Sequence, residues 1–307
     1  MSVELTNRQI VATDQDVVQL TFARADGVEL PRWQPGCHLD VYLPSGRQRS
    51  YSLCGDPQDR HTYRIAVRRI PAGGGGSRDL HALPVGTMLS ISHPRNGFPF
   101  QYSPRALFIA GGIGVTPILP MVRAAQRLHM DWRFVYCGRS EDSLPFLPEI
   151  TTWDPQRTRI RLDDEHGLPT AADLLGTDLT STAVYVCGPP PMIESVRTMI
   201  DDTDAVAFHF ERFSAAPVVD GTAFELQFAS TGEIVEVSAN ETLLDVVRKH
   251  RPNVGYSCQQ GFCGTCKTRV LAGTPDHRDH RLSVSEQADS MLICVSRARS
   301  DRLVLDL

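Results

Sequence analysis

The sequence is nearly without lysine: among 31 basic residues only Lys249 and Lys267 are lysines, the rest arginine. This reads as composition bias. It also lacks any run of like charges, and the formal net charge is −5. A basic face for nucleic acid is therefore not expected. A long apolar run is missing as well. The longest, LFIAGGIGVTPILPMV at 107–122, falls short of a bilayer span and is broken at Gly111, Gly112, Gly114 and Pro117. It reads as a buried strand, turn and helix, so no membrane association is expected. The opening MSVELTNRQI has no charged start followed by an apolar stretch, so no signal peptide is expected and the chain is expected to be cytoplasmic. There is no internal repeat and no low-complexity tract. What is present, 41% apolar and 22% charged residues over 307 positions, suits two or three ordinary globular domains.

The chain changes texture along its length. In 1–101, VVQLTFARADG, CHLDVYLPSG, TYRIAVRR and TMLSISHP cluster β formers between turn signals, which predicts a small antiparallel β-barrel. In 102–213, strands such as LFIA, WRFVYC and VYVC alternate with helical stretches, which predicts an α/β domain with a parallel sheet. SAAPVVDGT at 214–222 reads as a linker. In 223–307 a hairpin (FELQFAS-TG-EIVEVSA) precedes a short helix within NETLLDVVRKH, with Asn240 as the expected cap and Leu243, Val246 and Val247 as its core face. The fold class is thus multidomain: barrel, parallel-sheet α/β domain, and a C-terminal α+β domain.

Eight cysteines are distributed unevenly. Cys258-x4-Cys263-x2-Cys266, followed by Cys294, has the spacing of a plant-type [2Fe–2S] loop. Four thiolates must surround two irons, and Gly261 and Gly264 permit the tight wrapping that requires. A structural zinc site would want two separated Cys-x2-Cys knuckles, and a redox dithiol would not use the other two cysteines. Cys37, Cys54 and Cys137 are most simply small packing residues. His277 and His280 are Rieske-like ligands in principle, but a solvated loop is the simpler reading.

Arg49-Ser50-Tyr51-Ser52-Leu53 offers an arginine suited to a phosphate, a tyrosine able to lie on a flat ring and a serine able to hydrogen-bond it. Alone, it could be an ordinary strand with an exposed arginine. Downstream, a glycine run through Gly75 and Gly76 ends in Ser77 at an apparent helix start, where backbone N–H groups can meet phosphate; a flexible spacer is the alternative.

Gly111, Gly112, Gly114, Thr116 and Pro117 form a glycine-rich turn from strand into helix, suited to a dinucleotide pyrophosphate or simply to close packing. Pro117 stands where a third glycine would be, and proline is tolerated in a first helical turn. Cys187-Gly188-Pro189 follows a later strand, with a buried core cysteine as the alternative. Gly138, Arg139 and Ser140 follow another strand and could meet the adenosine ribose. An arginine there would suit a 2′-phosphate, so NADPH stays open beside NADH.

Together these motifs resemble the phthalate dioxygenase reductase family, to which vanillate O-demethylase reductases are similar, within the ferredoxin–NADP reductase superfamily. The resemblance covers essentially the whole chain, and its C-terminal part resembles a plant-type, β-grasp ferredoxin. It implies FMN rather than FAD, with Arg49 to Leu53, Val67, Gly75, Gly76 and Ser77 at the flavin. It implies NADH at Gly111 to Pro117, Gly138 to Ser140 and Cys187 to Pro189. Ser52 would support flavin N5, Thr116 would orient the nicotinamide and Cys187 would sit near its C4. Phe213 would stack on the flavin, unless it is a core aromatic at a strand end. Cys258 and Cys263 would hold the solvent-nearer iron, Cys266 and Cys294 the other. The implied function is electron transfer from NADH through FMN and [2Fe–2S] to a terminal oxygenase of Rieske non-haem iron type, by a monomer. A reductase for a cytochrome P450 is the nearest alternative; a non-enzymatic redox-sensing or metal-binding module is the more distant one.

Overall fold

The computed structural model describes all residues except 72–74, 177, 214–217, 253, 257–258, 262 and 280. The chain divides into two compact units, 1–45 with 50–212, and 46–49 with 213–307.

The first unit begins with β1 (Ser2–Ala12), β2 (Val17–Ala23), β3 (Cys37–Tyr42), β4 (Gln48–Ser52, whose first two residues group with the second unit) and β5 (Thr62–Arg68). Helix α1 (Gly76–Ala82), β6 (Met88–Ile91) and β7 (Arg95–Asn96) follow. The strand order is β4-β3-β6-β1-β2-β5, with β7 against β3. Its two ends meet beyond β4, where Leu53 N–H donates to Cys37 O (2.8 Å) and Cys54 N–H to Arg64 O (2.9 Å). The antiparallel sheet therefore closes into the expected barrel, filled by Val3, Leu20, Phe22, Leu39, Tyr63 and Ile65 among others.

The same unit continues with β8 (Arg105–Gly111), α2 (Val115–Arg127), β9 (Asp131–Gly138), α3 (Leu147–Ile150), β10 (Thr158–Leu162) and α4 (Asp163–His166). It ends with α5 (Ala171–Leu175), β11 (Thr182–Cys187), α6 (Pro190–Ile200) and β12 (Ala207–Glu211). These strands form a parallel sheet, order β10-β9-β8-β11-β12. Its central strands β8 and β11 are buried almost throughout, because helices cover both faces; this is why they read as continuous apolar runs rather than alternating ones. Cys54, Ala66 and Phe98 of the barrel share one apolar core with Phe108 and Tyr185 of this sheet and Ile118 of α2. No helix among the described residues is long and apolar enough to cross a membrane.

The second unit contains β13 (Phe224–Phe228), β14 (Ile234–Val237), α7 (Leu243–His250), β15 (Lys267–Ala272) and β16 (Pro275–Asp276). It closes with α8 (Val284–Gln287), β17 (Ser290–Leu292), β18 (Arg297–Ala298) and β19 (Arg302–Leu305). The main sheet runs β14-β13-β19-β15-β17, with β13 and β19 parallel. The β13–β14 hairpin turns at Gly232, which has φ +73°. Leu243, Val246 and Val247 of α7 face the core as expected, but the cap is not Asn240. The helix starts at Leu243, and Thr242 Oγ1 accepts from Asp245 N–H (3.1 Å) while donating to Asp245 Oδ2 (2.7 Å). The first buried leucine decides the start, and the residue just before it caps. Of the linker residues 214–222, positions 214–217 lie outside the described residues.

Candidate active site and metal centre

Three of the parallel strands end side by side at one corner of the first unit. Cys187 ends β11 and Glu211 ends β12, in register with each other. Cys187 is also in register with Ala110, just before the glycine turn that follows β8. Ser52, at the end of β4, reaches this corner from the barrel: its hydroxyl donates to Glu211 Oε2 at 3.2 Å. All three side chains are buried. Burial pushes the Cys187 thiol well above its ordinary range, and the Glu211 carboxylate adds to the rise. The thiol is therefore neutral near pH 7, a compact and unreactive wall rather than a nucleophile. Glu211 was not anticipated. The signal was its place as a lone carboxylate at the end of the last strand, in HFERF.

The glycine turn is built mainly by packing. A Cβ on Gly114 would lie 2.2 Å from Cys187 O, and one on Gly111 would lie 2.6 Å from Pro189 Cδ. Gly188 is equally confined, by Met192 Sδ at 2.9 Å and Gly111 N at 3.1 Å. These glycines let the turns after β8 and β11 press together. Gly138 likewise makes room for Leu144. Gly112 differs. Its φ is +52° and a Cβ there would meet only Gln15 Oε1, at 3.7 Å, so this peptide is open to a ligand. Its carbonyl is in reach of the buried Tyr136 hydroxyl (3.1 Å), which lies 2.9 Å from Pro145 O as well. Thr116 is buried in the first turn of α2 and donates to Ile113 O at 3.0 Å; Pro117 follows it.

At the other end of the turn series, Arg139 is exposed, and its carbonyl accepts from Asp164 N–H (3.0 Å). Ser140 opens a capping box with Ser143. Leu162 pairs with Gly138, so Asp163, Asp164 and Glu165 of α4 follow directly beside Gly138 and Arg139.

On the barrel, Tyr51 is half-buried and Leu53 buried, while Ser50 donates to the fully buried Asp40, which also pairs with Arg95. Arg49 is half-buried, donates to Gln48 O at 2.7 Å and groups with the second unit. Val67 is buried in β5. Gly75 caps α1 in the left-handed region (φ 87°), Gly76 is buried, and Ser77 Oγ accepts from Ile70 N–H at 3.1 Å. Phe213 is exposed, so the core-aromatic alternative fails for it.

In the second unit, antiparallel pairing of Lys267 with Leu292 sets Cys266 just before β15 and Cys294 just after β17. Ile293 N–H donates to Cys266 O at 3.4 Å, and both cysteines are buried. Cys263 is half-buried, with Thr265 Oγ1 3.3 Å from its sulfur. Cys258 lies outside the described residues, as does His280. Gly261 and Gly264 have φ of +80° and +81°, and a Cβ on Gly261 would strike Val295 Cγ2 at 2.8 Å. A tightly turned loop carrying thiol donors is what a thiolate-held iron–sulfur cluster requires, so the residues present fit that group. His277 is engaged otherwise, its Nε2 being 3.2 Å from Gln287 O.

Two family models match: the 2Fe-2S iron-sulfur cluster binding domain over residues 227–299, and the oxidoreductase NAD-binding domain over 108–198. The chain is 41% identical to the vanillate O-demethylase oxidoreductase of Pseudomonas sp. (strain HR199 / DSM 7063) across 95% of its own length and 96% of that protein's. It superposes on the solved phthalate dioxygenase reductase with a TM-score of 0.74 and 32% identity, covering 100% of this chain and 98% of that one. An intact type IV self-sufficient cytochrome P450 monooxygenase is also similar (TM-score 0.75, 32% identity), although the chain spans only 41% of that longer protein.

Proposed function

The chain belongs to the phthalate dioxygenase reductase family, and from that premise we propose that it is the NADH-oxidising reductase component of an oxygenase or O-demethylase system. The observation that carries this reading is the meeting of Ser52, Cys187 and Glu211 at the strand ends of a chain that also bears the cysteine loop. In this reading FMN binds the barrel of 1–101, NADH the domain of 102–213, and the cluster the module of 223–307, joined by the linker 214–222. When bound, these groups supply hydride acceptance and one-electron transfer, with a plant-type cluster working near about −400 mV.

The chain's own residues do the positioning. The Ser52 hydroxyl, held by Glu211, would support the reacting edge of the flavin, and Tyr51 would lie against the ring. Cys187 and Thr116 shape the nicotinamide pocket without exchanging protons, since the thiol stays neutral. The open Gly112 peptide would meet the pyrophosphate. Arg49 and Ser77 would take the flavin phosphate, and Phe213 would cover the flavin. Cys258, Cys263, Cys266 and Cys294 hold the cluster. Asp163, Asp164 and Glu165 beside Arg139 suit a ribose diol and repel a 2′-phosphate, which favours NADH. The acceptor is an oxygenase of Rieske non-haem iron type, served by a cytoplasmic monomer.

Anaerobic addition of NADH while recording the visible spectrum tests the core reading. Flavin and iron–sulfur bands that both bleach support it. A flavin that NADH leaves oxidised, or a protein without cluster absorbance, overturns it. The likeness to a self-sufficient P450 favours one second reading, a haem acceptor. Reoxidation of the reduced protein by a Rieske oxygenase but not by a P450 haem domain separates the two.

A further inference from the structure

The helix that carries Thr116 also carries an arginine that no part of the reaction accounts for. Arg123 lies seven residues further along α2, close to the same helical face. Its side chain is only 19% exposed. Nη1 donates to two barrel carbonyls, Cys54 O and Gly55 O, both at 3.0 Å. Nε and Nη2 grip Glu149 in a fork, at 2.8 and 2.6 Å. One guanidinium thus joins three segments, and the barrel segment it holds begins two residues after Ser52. That segment is already fixed on its other side, where Cys54 N–H donates to Arg64 O. The next turn of α2 adds only a peripheral contact, Arg127 to Asp56 at 3.0 Å.

We propose that Arg123, aligned by Glu149, is a positioning residue for hydride transfer, setting the distance between the flavin serine on the barrel and the nicotinamide threonine on α2. The inference rests on the reading of Ser52 and Thr116 given above. The physical reason is that donor and acceptor for the hydride are carried by different domains of one unit, and transfer depends steeply on their separation. Apolar packing between the barrel and the parallel sheet is non-directional. A planar cation holding two carbonyls and a carboxylate fixes a geometry, and charge-assisted bonds in a mostly buried setting resist its loosening. Lysine cannot reproduce the fork.

The test is stopped-flow reduction of the full-length, flavin- and cluster-loaded protein by NADH and by NADH deuterated at the transferred position. The variants are Arg123→Ala, Arg123→Lys and Glu149→Gln, with Arg127→Ala as the control. The expected result is a fall of about ten-fold or more in the limiting rate for Arg123→Ala, a smaller fall for the other two, and an enlarged, more temperature-dependent isotope effect. Flavin content and NADH dissociation constant stay near those of the parent, and Arg127→Ala stays within about two-fold. An unchanged rate and isotope effect in Arg123→Lys, which keeps the charge and the fold, overturns the proposal. So does a loss of rate that merely follows loss of flavin or of melting temperature, with the isotope effect unmoved. Ser52→Ala separates this from the parent reading. If it too leaves the rate unchanged, the hydride site itself is misplaced; if it slows reduction while the arginine variants do not, only the clamp fails.

Discussion

The hydroxyl of Ser52 donates to the carboxylate of Glu211 at 3.2 Å, across 159 residues of sequence. One comes from the last residue of a barrel strand, the other from the last residue of the parallel sheet, and the bond orients the serine. Removing either side should slow flavin reduction by NADH on the order of 100-fold, since a preorganised polar group beside a reacting atom contributes about that much. Ser52→Ala and Glu211→Gln should both keep their flavin. Rapid-mixing absorbance at the flavin band checks this; a variant that reduces at the parental rate removes Ser52 from the reacting edge.

Replacing one cluster ligand should cut the electron path in a single place. Cys263→Ser is expected to lose the broad iron–sulfur absorbance and transfer to the oxygenase. NADH–ferricyanide activity should remain, because the hydride corner lies in the other unit. Loss of both activities with the fold intact would contradict a modular path.

Gly114 is the position in the nucleotide turn where a single methyl group should be felt most. Its Cβ would sit 2.2 Å from a backbone oxygen, which no rotamer change relieves. Gly114→Ala should cost about 1–3 kcal/mol, visible as a lower melting temperature, and should weaken NADH binding by displacing Cys187. Gly112→Ala, with open space but φ +52°, should be milder in stability while still impairing the nucleotide turn.

Alkaline pH should destabilise the first unit through its buried thiols. Burial lifts Cys54 and Cys137 from 9.0 to about 12, and Cys187 also rises well above 9.0. Above pH 9 the unfolded chain releases these protons while the native protein retains them. Stability therefore falls as pH rises from 9 towards about 12, by roughly 1.4 kcal/mol per pH unit for each thiol. Cys54→Ala should flatten this decline by one thiol's share in urea titrations between about pH 8 and 10.5. An unchanged slope would mean that Cys54 ionises freely in the folded state.

What could be read from the sequence was what depends on local spacing. The cysteine loop is defined within nine residues, Cys258 to Cys266, and the alternation of strand and helix within each βα unit. Glu211 was hidden because its meaning arises only from register, Cys187 beside Glu211, and from the arrival of a barrel strand at the same corner. Arg297 was hidden for a similar reason. It is 2% exposed and donates to the carbonyls of Thr222, Ser238 and Glu241, a role written in two distant segments. The glycines after β8 were visible as a turn, but their partners, Cys187 O and Pro189 Cδ, belong to another strand end. The Asn240 cap failed on a local point: asparagine is the better cap by chemistry, but burial of Leu243 sets the helix start so that Thr242 caps it.

The parallel pairing of β13 with β19 sets an order of assembly. β19 lies in the middle of its sheet, between β13 and β15, yet it comes after all eight cysteines of the chain. During synthesis the barrel and the parallel sheet have all their strands long before residue 305 is made. The sheet that supports the cysteine loop does not, and its cysteines leave the ribosome on an unfinished scaffold. The loop can therefore be closed around a cluster only after residue 305 is made, whereas the barrel and the parallel sheet can be complete by then.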